Sequence, residues 1–207
     1  MNRALGYIRW IIFLVAGVVI LFFGIREKSA MNTKAIDLND ESVEWSELKV
    51  NDHVEMDIDF IMDYFMTTTD DGKETMRDYL MPRIELDDGY YNFSEFIGVH
   101  VGRTDDFGDY DRLADDSLDW WNGDDLEKDY ESIHIDGLLR KMTSDQKKYC
   151  TEYLDEMGYS QSEIDDMMTE YVIYPDYDNS NFVLWIGVAL AAIGAVALVI
   201  KAVRGNR

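Results

Sequence analysis

Two apolar runs dominate the pattern of this chain. Phe182–Ile200 holds nineteen residues without a charge. As a helix it would be about 28 Å long at ~1.5 Å per residue, close to the ~30 Å hydrocarbon core of a bilayer. Trp10–Ile25 is sixteen residues, and extending it back to Leu5 gives 21 with only Arg9 charged. Arg9 can snorkel to the headgroups, so both runs are expected to span a membrane. Arg9 and Trp10 suit one interface of the first span. Trp185 suits an interface of the second, with Lys201 and Arg204 at its other end. The first run is too long for the ~7–15-residue core of a signal peptide, and Lys28 spoils the one tempting cleavage site, so an uncleaved signal anchor is expected.

Between the spans the period changes. Val54, Met56, Ile58, Phe60, Met62, Tyr64 and Met66 alternate with polar residues, which predicts one strand over Val54–Met66. Ile61 and Phe65 interrupt its polar face. Asp70-Asp71-Gly72 is a turn signal. Arg77–Ile84 is a second strand, placed at an edge by Pro82. Asp87-Asp88-Gly89 is another turn, and Phe96–Val101 a third strand. A helix follows, with Leu113, Leu118 and Trp121 on its apolar face and Asn122-Gly123 at its end. Ser132–Met142 reads as a strand with Ile133, Ile135 and Leu139 inward. Thr143 with Gln146, and Ser160 with Glu163, form capping-box patterns. The first opens a helix with a Tyr149, Cys150, Tyr153, Leu154, Met157 stripe and Gly158 as its stop. The second opens a shorter helix through Met168. Tyr171–Tyr174 is a last short strand. Residues 26–35 read as a linker. The result is an α+β fold: a mostly antiparallel sheet with helices in the second half of one domain, flanked by two transmembrane helices. The divisions are 1–28, 29–181 and 182–207.

Charge adds a topology to this pattern. Residues 26–181 carry 14 Lys+Arg and 42 Asp+Glu, a formal charge of −28, and every acidic residue of the chain lies there. The ends are purely basic. Basic flanks prefer the cytoplasm, so both termini are expected inside a cell membrane and the acidic domain outside it. Such a charge excludes nucleic-acid binding through phosphate neutralisation. The aromatic and apolar content excludes a disordered acidic tail. Cys150 is the only cysteine, so no intrachain disulfide forms. It is expected to be a buried small hydrophobe.

Small residues mark helix contacts: Gly17 and Gly24 in the first span, and Gly187, Ala191 and Ala195 in the second. They serve packing of the two spans on each other, or self-association. In the acidic segment 105–125, Asp105, Asp106, Asp109, Asp111, Asp115 and Asp119 are candidate cation ligands, although no EF-hand spacing is present. His53, His100 and His134 are far apart in sequence and read as structural. Trp120-Trp121 suggests one core anchor and one partly exposed ring. No nucleophile elbow or phosphate loop occurs.

Three stretches carry a resemblance: FIGVHVG (96–102), IHIDGLLRKM (133–142) with KKYCTEYLDEMG (147–158), and the closing span. Together with the order of elements they resemble a family of uncharacterised bacterial two-span membrane proteins with an external α+β domain. That resemblance implies architecture and no activity. The functional expectation is a non-enzymatic membrane protein without cofactors, whose acidic domain binds a partner protein or serves a membrane complex as accessory subunit. Two spans are too few to form a transport path alone. The alternative is calcium binding or sensing through 105–125.

Overall fold

The residues that alternate and the residues that run apolar separate into two compact units, Lys34–Pro175 and the two chain ends. The computed structural model describes residues 2–87, 89–123, 131–175 and 180–205.

The ends form two helices, α1 (Asn2–Met31) and α5 (Ser180–Gly205). Within them Tyr7–Met31 and Val183–Val203 are long and apolar enough to cross a membrane. The helices pack antiparallel through alternating small and large residues. A Cβ on Gly17 would lie 2.4 Å from the Ala191 backbone nitrogen, and one on Gly194 would lie 2.7 Å from the Leu14 nitrogen. Gly24 faces Leu184, and Gly187 faces Leu21. Leu14, Gly17, Leu21 and Gly24 repeat at spacings of three and four, as do Leu184, Gly187, Ala191 and Gly194. This is a coiled-coil seam in which glycine lets the backbones touch. Ala195 is exposed, and Gly194 takes its place on the seam, because the repeat follows 3.5 residues rather than four. Lys201 Nζ lies 5.2 Å from the Tyr7 ring centre and Arg9 lies over Trp10 at 4.7 Å. Residues 26–31, expected as linker, continue α1.

The other unit is built on a seven-stranded sheet of order β1-β2-β6-β7-β5-β4-β3. Its strands are β1 (Ile36–Asp37), β2 (His53–Ile58), β3 (Tyr64–Asp70), β4 (Lys73–Asp87), β5 (Tyr90–Val101), β6 (Ile133–Lys141) and β7 (Met168–Pro175). Helix α2 (Phe107–Asn122) follows β5; α3 (Ser144–Glu156) and α4 (Gln161–Met167) precede β7. Most pairings are antiparallel; β1–β2 and β5–β7 are parallel. The α+β expectation with a mostly antiparallel sheet therefore holds.

Both faces of the sheet are buried. Tyr79, Met81, Ile97, Val99, Ile135, Leu139 and Ile173 join one core with Phe107, Tyr110 and Leu113 of α2 and with Trp45. Their neighbours Leu80, Phe96 and Val172 join a second core with Cys150, Leu154 and Ile164 of α3 and α4. Residues of β2 and of β4 line one cavity although three strands separate them in the sheet. At ~4.8 Å per strand spacing that requires the sheet to curl.

Several expected elements change. The strand expected over Val54–Met66 is two strands joined by Asp59–Asp63. Ile61 enters the first core and Met62 the second, so the simple alternation ends where the chain passes between layers. The strand expected over Arg77–Ile84 runs from Lys73 to Asp87 and lies second from an edge. Pro82 lies past the last β3 partner, Tyr79, so its missing N–H breaks no rung on that side. β5 begins at Tyr90 rather than Phe96. On α2 the buried face is Phe107, Tyr110, Leu113 and Ser117, and Leu118 is exposed. On α3 the buried face is Gln146, Cys150 and Leu154, with Tyr149 and Met157 exposed. Both capping boxes are present, and Gly123 and Gly158 stop α2 and α3 with positive φ. Asp88, Asp124, Asp125 and the acidic flank 176–179 lie outside the described residues.

Two glycines separate the demands of packing from those of backbone freedom. A Cβ on Gly137 of β6 would lie 2.3 Å from the Tyr174 carbonyl oxygen, whereas nothing stands within 4 Å of one on Gly108 of α2. Gly137→Ala is expected to cost about 2 kcal/mol or more, because backbone must move. Gly108→Ala is expected to stabilise by about 0.5–1 kcal/mol through unfolded-state entropy. Denaturant midpoints of the full chain in neutral detergent check both signs.

Candidate functional site: an aromatic pocket between two helices

Of the side chains marked by the sequence, the acidic ones turn out to be dispersed. Asp111 is held by the sheet: Arg77 Nη1 donates to both its oxygens at 2.7 Å, and the Tyr79 hydroxyl donates to Oδ1 at 2.6 Å. Arg77 lies between the rings of Tyr64 and Phe107, 4.5 and 4.7 Å from their centres. Burial alone would lower the Arg77 pKa, but hydrogen bonds to Tyr79, Glu74 and Asp111 raise it, so the clamp is permanently charged. Asp109 pairs with Arg112 at 2.8 Å, and Asp106 lies 3.8 Å from Arg103. The side chains of Asp105 and Arg204 are outside what the structure describes. Among the described residues no group of three His, Cys, Asp or Glu side chains is placed to hold a metal. Asp111 therefore ties α2 to the sheet.

Each histidine contacts an aspartate. His53 meets Asp136 at 2.6 Å, His134 meets Asp57 at 2.7 Å, and His100 meets Asp78 at 2.7 Å. The third pair belongs to a buried network. Gln146 Nε2 donates to Asp78 at 3.0 Å and to the Tyr174 hydroxyl at 3.2 Å, while the His100 ring stacks on Tyr174 at 4.3 Å. Gln146 also closes the capping box of α3, so one side chain joins the helix start to β4 and β7. The Asp78 carboxylate is thus shared between His100 Nδ1 and Gln146 Nε2.

What the structure does assemble is an aromatic cluster that only Trp120-Trp121 hinted at. Phe60 stands at its centre, 5.7 Å from Phe93, 5.9 Å from Trp120 and 6.2 Å from Trp121. Trp121 stacks on Phe93 at 4.4 Å, and Trp120 lies 5.1 Å from Tyr91. Neither tryptophan is a buried anchor; Trp121 remains 42% exposed. The cluster forms because the Asp59–Asp63 connection passes beside α2, where the Ile61 amide donates to Ser117 Oγ at 3.0 Å. Ser117 in turn donates to the Leu113 carbonyl at 2.7 Å, so a buried serine fixes the connection to the helix.

Beside this cluster is a pocket of about 270 Å³. It is lined by Phe60, Met62 and Asp63 of the connection, by Asp115, Leu118 and Trp121 of α2, and by Tyr153 of α3 with Met157 just past its end. Leu118 at 59% and Met157 at 47% are exposed on its rim. Both belong to the stripes that a simple helical reading puts inside, so the signal exists in the sequence but points to the core. Burial and then the Asp63 charge push Tyr153 up to about 12, which keeps its hydroxyl neutral.

Cys150 is fully buried behind the α3 wall, and burial pushes its thiol from 9.0 up to about 12. The folded state thus holds the proton more tightly than the unfolded one. Its contribution to stability is complete below pH 9 and is lost as pH rises towards 12. Tyr153, raised from 10.0 to about 12, adds to the same slope above pH 10. Unfolding titrations are expected to show stability falling from about pH 9 upward, and Cys150→Ala should flatten the onset of that fall. In the same protein a maleimide at pH 8 should label Cys150 only after denaturation.

No curated protein matches the chain, and no solved structure does. A family does, over residues 2–204, and so takes in both apolar helices and all seven strands. The chain belongs to the family described as Domain of unknown function (DUF8577).

Proposed function

We propose that this protein is a two-pass membrane protein whose acidic domain, outside the membrane, docks a partner protein through the aromatic pocket and its rim. The observation that carries the reading is the pocket itself. A strongly acidic surface has no need to expose Leu118, Trp121 and Met157 around one concavity. Clustered exposed aromatics of this kind mark interaction sites. The basic residues beyond the spans support an orientation with both termini cytoplasmic. On this reading Asp111 and Asp78 serve structure, since Arg77 engages the first and His100 and Gln146 the second.

Two experiments on the full chain in its native membrane test this. An Asp71→Cys variant, at the exposed β3–β4 turn, should react with an impermeant maleimide in intact cells, with shielded Cys150 contributing no background; protection would overturn the orientation. A photo-crosslinking side chain at Leu118 or Met157 should give a discrete adduct that Trp121→Ala abolishes and that the same side chain at Thr69 does not give. Equal adducts from Thr69 would overturn the docking reading.

A further inference from the structure

Resting on that docking reading, we propose that the pocket receives a cationic side chain, arginine or lysine, carried in an apolar segment of the partner. Phe60, Phe93 and Trp121 supply faces and edges on which a cation with an apolar stem can lie. Asp63, from the Asp59–Asp63 connection, and Asp115, from α2, line the same pocket. Neither carboxylate has a Lys, Arg or His partner among the described residues, and no basic side chain lines the pocket. The charge complementarity is therefore one-sided. An anionic ligand would be repelled, and a neutral apolar one would strip water from two carboxylates without replacing it. A cation with apolar neighbours answers both walls at once. Elsewhere in the domain the clusters of acid and aromatic groups already hold their own cation, as Tyr64, Phe107 and Asp111 hold Arg77. The aromatic pocket has the same kind of components and lacks the arginine. Its volume of about 270 Å³ lies below the roughly 300–1,000 Å³ of sites for drug-sized ligands and fits one long side chain. Asp115, a candidate cation ligand by sequence, thus faces an organic cation rather than a metal.

The test uses the full chain in neutral detergent and two blocked tripeptides, leucine–arginine–leucine and leucine–citrulline–leucine. Citrulline keeps the shape of arginine and loses the charge. Ligand-detected NMR titrations are expected to show the arginine peptide binding about five-fold more tightly at low salt, the preference shrinking at high salt. Asp63→Asn with Asp115→Asn should remove the preference by weakening the arginine peptide, while the citrulline peptide binds no more weakly than before. Asp63→Asn keeps an acceptor for the Tyr64 amide. Trp121→Ala should weaken both peptides. Equal binding of the two peptides, or an arginine preference that survives the double substitution, would overturn the inference. In membranes, a partner adduct at Leu118 that the double substitution leaves unchanged overturns the cationic assignment and spares the docking reading. Absence of any adduct in the unsubstituted protein overturns the docking reading and the inference with it.

Discussion

The sheet of this domain is one sheet only because β7 inserts between β5 and β6. Without it the described strands fall into two groups, β1-β2-β6 and β5-β4-β3, with no strand pairing from one to the other. β7 pairs parallel to β5 and antiparallel to β6. Close approach on both sides needs glycine. A Cβ on Gly98 of β5 would come within 2.9 Å of Val172, and one on Gly137 of β6 within 2.3 Å of the Tyr174 carbonyl. Polar contacts then lock the strand: Thr169 donates to the Phe96 carbonyl, the Met142 amide to the Glu170 carbonyl, and Gln146 to the Tyr174 hydroxyl. Because β7 is the last strand in the chain, the closing contacts are long-range, and their loop-closure entropy must be met before they stabilise anything.

The pocket depends on that closure. α3 and α4 lead directly into β7, so the strand holds the α3 wall, with Tyr153 and Met157, against one face of the sheet. α2 leaves from β5 and packs on the other face, held by Arg77 and Asp111. The Asp59–Asp63 connection passes between the two layers and carries Phe60 to the meeting point. The acidic surface sharpens the contrast. With the cations of the clamps already engaged, the apolar concavity is where such a domain has an unfilled complement.

What the sequence made legible follows the range of the forces involved. Both apolar helices, both capping boxes, the turn at Asp71-Gly72 and the stops at Gly123 and Gly158 depend on residues a few positions apart, and they were readable. The placement of β7 in the centre of the sheet was not, since Tyr171–Tyr174 looks like any short apolar strand and its partners lie far away in sequence. Helical faces depart from the apolar stripe where a polar residue is buried for a tertiary reason. Gln146 and Ser117 go inside because Asp78 and the Ile61 amide need partners, and Tyr149 and Leu118 are displaced outward. The aromatic pocket was hidden for the same reason, as its rim residues resembled core. On the two apolar terminal helices the spacing of four suggests Ala195, while the seam follows spacings of three and four and selects Gly194.

Native-state hydrogen exchange tests the dependence on β7 most directly. The account predicts that the amides of Val172 and Ile173 exchange only through global unfolding, with the same opening free energy as Val99 on one side and Leu139 on the other. Exchange of Val172 and Ile173 through a smaller opening, with β5 and β6 retaining protection at two different levels, would contradict it and show two independent half-sheets.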